Sequence, residues 1–166
     1  MLETFNLTEL GAFHTVISII AVIAGLVALF RYGAITTTNY PGLWYVSMTA
    51  ATCVTGLFIF RHGGFGPPHM LAILTLVILA LTYVLERVAG RSVAARYVIV
   101  LGNSLTLLFH LLPALNETGT RLPLGHPAFT GPDDPKLKAI FGLGFLIYVI
   151  GAIFQALRIR RASKAT

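Results

Sequence analysis

The chain has 166 residues, of which 56% are hydrophobic and only 11% charged, and its mean hydropathy is +0.82; a soluble domain carries about 25% charged residues, so that class is excluded. The apolar residues gather into stretches of roughly 16 to 20, close to the ~20 that a helix needs to cross ~30 Å of hydrocarbon, and no alternating 10-residue segments of a transmembrane β-barrel are present. The net charge of +6 does not require nucleic acid, because the basic residues flank the apolar stretches, where they orient a chain in a bilayer.

These features predict an all-α, polytopic bundle of five spans forming a single membrane domain over residues 1–166, with no internal repeat. Glu3 stands where a signal peptide carries Lys or Arg and no small-residue cleavage site follows, so the first apolar run is expected to be retained as a span. That span covers about residues 12–30 and ends at Arg31-Tyr32-Gly33; His14, Ser18, Ala21 and Gly25 recur on one helical face, which places His14 toward the bundle interior. The second span, about 42–60, follows the helix-start pair Tyr40-Pro41 and stripes Tyr45, Thr49, Thr52 and Gly56 along one side. Cys53, the only cysteine, sits within this run, leaving no internal disulfide, no Cys-x-x-Cys pair and no c-type heme attachment.

A glycine- and proline-rich turn, His62-Gly63-Gly64-Phe65-Gly66-Pro67-Pro68-His69, leads into a third span, about 67–85, closed by Glu86-Arg87. Its glycines and prolines are suited to a tight turn and a sharp helix start that aim both imidazoles at the bundle mouth. The fourth span, about 97–115, carries Asn103, Thr106 and His110 on one face, continuing past Pro113 toward Glu117. A long connection, about 116–138, follows, and its Leu122-Pro123-Leu124-Gly125-His126-Pro127 stretch is a candidate lid. The fifth span, about 139–157, has Gly144, Tyr148, Gly151 and Gln155 as its packing seam.

Lys and Arg set the expected orientation. With the N-terminus outside, the inner segments hold eight (Arg31, Arg87, Arg91, Arg96, Arg158, Arg160, Arg161, Lys164) and the outer segments four (Arg61, Arg121, Lys136, Lys138), favouring an N-outside, C-cytoplasmic topology. All five histidines (His14, His62, His69, His110, His126) then fall at the outer side, together with Glu3, Glu9, Glu117, Asp133 and Asp134. Histidine is rare within bilayers and is the commonest metal ligand, so the one-sided set points to a metal, heme or proton role.

Two cofactor chemistries suit these residues. A transition metal (zinc, copper or iron) would take His14, His69 and His110 from three helices, with His62, His126 and Glu117 as further ligands and Glu117, Asp133 or Asp134 as an orienting carboxylate or base. A b-type heme would take two of the same histidines axially, with Arg61 or Arg121 on its propionates, room from Ala21, Gly25 and Gly56, and a quinone or redox partner to receive electrons. Alternatives are a non-catalytic accessory or structural subunit of a larger membrane complex or oligomer, and a metal-dependent hydrolase using an activated water beside the carboxylates. An ion pump is disfavoured because no span interior carries a charge and the fourth offers only Asn103.

The run Phe60-Arg61-His62-Gly63-Gly64-Phe65-Gly66-Pro67-Pro68-His69, with Phe13-His14-Thr15 and Phe109-His110-Leu111, resembles an uncharacterised family of small bacterial multi-pass inner-membrane proteins. The resemblance covers the first four spans and implies a bacterial inner-membrane location without implying an activity.

Overall fold

A computed structural model describes residues 8–60 and 64–164, which form five helices with no strand among them. Helix α1 runs Glu9–Tyr32, α2 Tyr40–Gly56, α3 Pro67–Ala89, α4 Val93–Gly119 and α5 Pro135–Lys164. Four of them, α1, α3, α4 and α5, are long and apolar enough to cross a membrane. The expected second span is shorter than its apolar run: α2 has 17 residues and stops at Gly56, a length of about 26 Å against the ~30 Å hydrocarbon core. Beyond Gly56 the chain tightens, with Phe58 N–H donating to Thr55 O and Ile59 N–H to Gly56 O, each at 3.1 Å.

The other helices outrun their apolar segments, because backbone hydrogen bonding continues past the residues that hydropathy selects. Thr8 starts α1 early by accepting from Gly11 N–H at 3.1 Å. Helix α4 continues through Pro113 to Gly119, and α5 begins at Pro135, so the long connection shortens to residues 120–134. Gly33 ends α1 in the left-handed region at φ 72°, its N–H bonded to Leu29 O; a side chain there would also strike the Arg158 guanidinium.

Helix ends group into two layers. Thr37 N–H and hydroxyl donate to the Glu86 carboxylate, Gln155 donates to Gly33 O and Arg158 to Tyr32 O, gathering the ends of α1, α3 and α5 with the α1–α2 connection. At the opposite end, His14 meets Thr55 and Ser18 meets His110.

Small residues on α1 let its backbone approach α2 and α4: Ala21 and Ala28 are fully buried, and a Cβ on Gly25 would lie 2.7 Å from the Tyr45 ring and 3.2 Å from Leu107. Polar side chains join the remaining helices. Tyr45 and Thr106 share a 2.7 Å hydroxyl bond, Thr106 donates to Asn103 O, Thr82 donates to Asn103 Oδ1 at 2.7 Å, and Asn103 Nδ2 donates to Ile35 O at 2.9 Å. Helix α5 packs on α4 through Ser104–Gln155 and Tyr148–Leu101 O contacts. Gly151, expected on that seam, is instead exposed with open space around it.

Candidate functional site at the histidine end

His14 and His110 come together although 96 residues separate them in sequence, because α1 and α4 pack side by side and both rings face inward as their helical stripes predict. His14 Nδ1 lies 3.0 Å from Thr55 Oγ1, and Ser18 Oγ lies 2.7 Å from His110 Nε2. The Thr55 hydroxyl has one proton, and its other contacts are the Ala51 and Thr52 carbonyls of its own helix, which can only accept. A Thr55 proton directed to either carbonyl makes Thr55 the acceptor from His14 and places the proton of neutral His14 on Nδ1, whereas a proton directed to the ring reverses the roles. The Thr52 carbonyl also lies within hydrogen-bonding range of the His14 ring. Gly56 makes this placement fit: a Cβ there would come within 3.2 Å of His14 Cε1.

Helix α4 carries further acceptors in its last turns. Pro113 lacks the amide that would hold the Phe109 carbonyl, one residue before His110. Asn116 Oδ1 is buried without a hydrogen-bond partner. Glu117 is ion-paired with Arg121 and lies within electrostatic range of His14.

The remaining candidates are placed differently. His69 is buried and stacked between Phe60 and Phe65, with ring centroids 4.9 and 5.2 Å away. Its Nδ1 accepts from Gly66 N–H at 3.2 Å, which puts the proton on Nε2, a buried donor with no partner. Among the described residues His69 shares no bonding partner with His14 or His110. His126 is exposed in the 120–134 connection, where His126 N–H donates to Pro123 O, Ala128 N–H to Leu122 O and Leu122 N–H to Thr118 O at the end of α4. Phe129 turns back onto α4, its N–H donating to Gly119 O at 3.0 Å and its ring packing against Gly119. Arg61 and His62 lie outside the described residues.

Asp133 and Asp134 serve the start of α5. Lys138 bonds Asp133 at 2.8 Å and holds its carboxyl below the usual range. Asp134 is lowered by the backbone N–H groups of Thr130 and Lys136, at 2.9 and 2.8 Å.

Among the described residues no three His, Cys, Asp or Glu side chains are already grouped around a common point for a metal. The small residues expected to make room for a macrocycle have neighbours in that room: Tyr45 and Leu107 beside Gly25, and His14 beside Gly56. Thr55 was not singled out from sequence; its signal is its position one turn beyond Thr52 and beside Gly56 on the α2 stripe. No family model matches the chain, and no curated protein or solved structure matches it.

Proposed function

We propose that the protein is a multi-pass protein of the bacterial inner membrane, with five crossings and its N-terminus outside, that binds a transition metal ion at its outer, histidine-bearing mouth. The observation that carries this reading is the His14–Thr55 contact. A metal-ligating imidazole characteristically donates its other ring N–H to an oxygen, which fixes the tautomer and the ring orientation, and the Thr55 hydroxyl beside His14 Nδ1 is positioned to serve as that oxygen. His110 supplies a second imidazole and Glu117 a carboxylate, leaving coordination positions for water or substrate. His69 has its lone pair committed to Gly66 and is not part of this smaller set.

Elemental analysis and an absorption spectrum of protein purified without chelator test the proposal. About one equivalent of zinc, copper or iron per chain is expected, lost in His14→Ala and retained in His69→Ala. Thr55→Val is expected to weaken metal affinity by roughly 10- to 100-fold, the usual effect of removing such an orienting partner. Metal content indifferent to His14→Ala would overturn the assignment, and a Soret band lost in the same variant would replace the metal ion with heme.

A non-catalytic packing role is the second reading, favoured by the 2.7 Å Ser18–His110 bond between α1 and α4. Under it, His110→Ala lowers the melting temperature equally with and without chelator.

A further inference from the structure

At the end of the bundle opposite the histidines, a cleft of about 620 Å³ opens between the α1–α2 connection and the α3–α4 turn. That volume falls within the roughly 300–1,000 Å³ range of small-ligand sites. Arg87, Arg91 and Arg96 line it, and its apolar wall includes the buried Ile99 and Val100. Glu86 is its one acidic residue, and both carboxylate oxygens are already engaged by Thr37. The arginines have no such partner: Arg87 lies over the Tyr83 ring at 5.0 Å, and the ion pairs among described residues, Arg121–Glu117 and Lys138–Asp133, are both at the other end. The lining is thus cationic by two charges after Glu86 is counted, and none of the three arginines forms an ion pair among the described residues. Helix α4 also starts between Arg91 and Arg96, and its cap residue Ser92 makes no side-chain bond to the first turn, which adds the partial positive charge of an open helix start.

We infer that this cleft binds a phosphate-bearing anion, and that in the membrane the ligand is the phosphodiester headgroup of an anionic phospholipid. Planar guanidinium groups pair bidentately with phosphate oxygens. The cleft lies where helices end, at headgroup level, and basic pockets between membrane helices are a recurrent headgroup site. Its apolar wall matches the glycerol and first acyl carbons, which a free anion does not need. Three arginines on two helix ends and a turn, converging on one concavity, differ from the dispersed basic residues of the C-terminal helix, Arg160 and Arg161, which lie outside the cleft. The inference does not depend on whether metal occupies the histidine end.

Binding would be measured on the full chain in neutral detergent, by titrating phosphatidylglycerol in mixed micelles against phosphatidylcholine, and inorganic phosphate alone. Phosphatidylglycerol is expected to bind at least tenfold more tightly than phosphatidylcholine and to raise the melting temperature. The double substitution Arg91→Gln with Arg96→Gln is expected to weaken it by on the order of tenfold or more, the scale of losing charge-assisted hydrogen bonds, while Arg160→Gln at the same end leaves it unchanged. Should the double variant fold poorly, Arg91→Gln at its exposed position carries the same expectation. Inorganic phosphate that binds and displaces the lipid at millimolar concentration would support the site and identify a soluble anion as its source. Equal affinity for the two lipids, or equal losses in Arg91→Gln and Arg160→Gln, would overturn it by reducing the effect to diffuse surface charge.

Discussion

Asn103 is 1% exposed and uses both ends of its amide, accepting from Thr82 on α3 and donating to the Ile35 carbonyl of the α1–α2 connection. Asn103→Leu leaves the Ile35 carbonyl and the Thr82 hydroxyl without these partners, and is expected to destabilise the fold by about 1–3 kcal/mol in reversible detergent unfolding. Thr82→Val, which removes one such bond, is expected to lose about 1 kcal/mol, the usual size of an interhelical bond in membranes. A Thr82→Val effect larger than that of Asn103→Leu would refute this network. Gly25→Val should lose about 1–3 kcal/mol by driving a side chain into the Tyr45 ring. The inward placement of Asn103, Thr106 and His110 was legible because 3.6-residue periodicity fixes which side chains share a face. Their partners were not, since pairing His14 with Thr55 depends on the rotation and sliding of α1 against α2, which no single helix encodes.

Helix α5 shows how an element is started by its flanking loop. Asp134 precedes Pro135 and accepts from the Lys136 amide, as an N-cap carboxylate does, while its other oxygen ties down Thr130. Its carboxyl is held below the usual range by these bonds. A lowered native value means that the stabilisation is complete above the ordinary carboxylate range and disappears as pH falls through the native value. Protection of the Thr130 and Lys136 amides, taken relative to their intrinsic exchange at each pH, should therefore fall on acidification in the native chain and lack that step in Asp134→Asn; identical protection profiles would refute the cap. The boundaries of α1, α4 and α5 could not be read from hydropathy for the same reason: caps and backbone bonds, not apolarity, decide where a helix stops. The early end of α2 at Gly56 is the converse case, an apolar sequence continuing after its helix has given way to tight turns.

For the whole molecule, five sequential helices bring eight of the chain's twelve Lys and Arg residues to one end and the His14–His110 pair to the other, an arrangement that segment order alone made legible. The proposed orientation places Asp133 outside and Ser163 in the cytoplasm. Cys53 is buried and gives little background, so Asp133→Cys should react with a membrane-impermeant thiol reagent on intact cells and Ser163→Cys only after permeabilisation; the reverse pattern would invert the proposed topology. The arginine cleft escaped sequence analysis because its walls come from two connections that are distant in the chain. Those connections also bear on biogenesis. Gln155 and Arg158, close to the end of the final helix, hold the carbonyl oxygens of Gly33 and Tyr32 at the end of the first. While the ribosome is still making the intervening helices, those oxygens have only water to bond, which keeps that end of the first helix at the aqueous boundary. The bundle is fastened at this edge by α5, made after the four helices before it, so segments synthesised early and late are joined there.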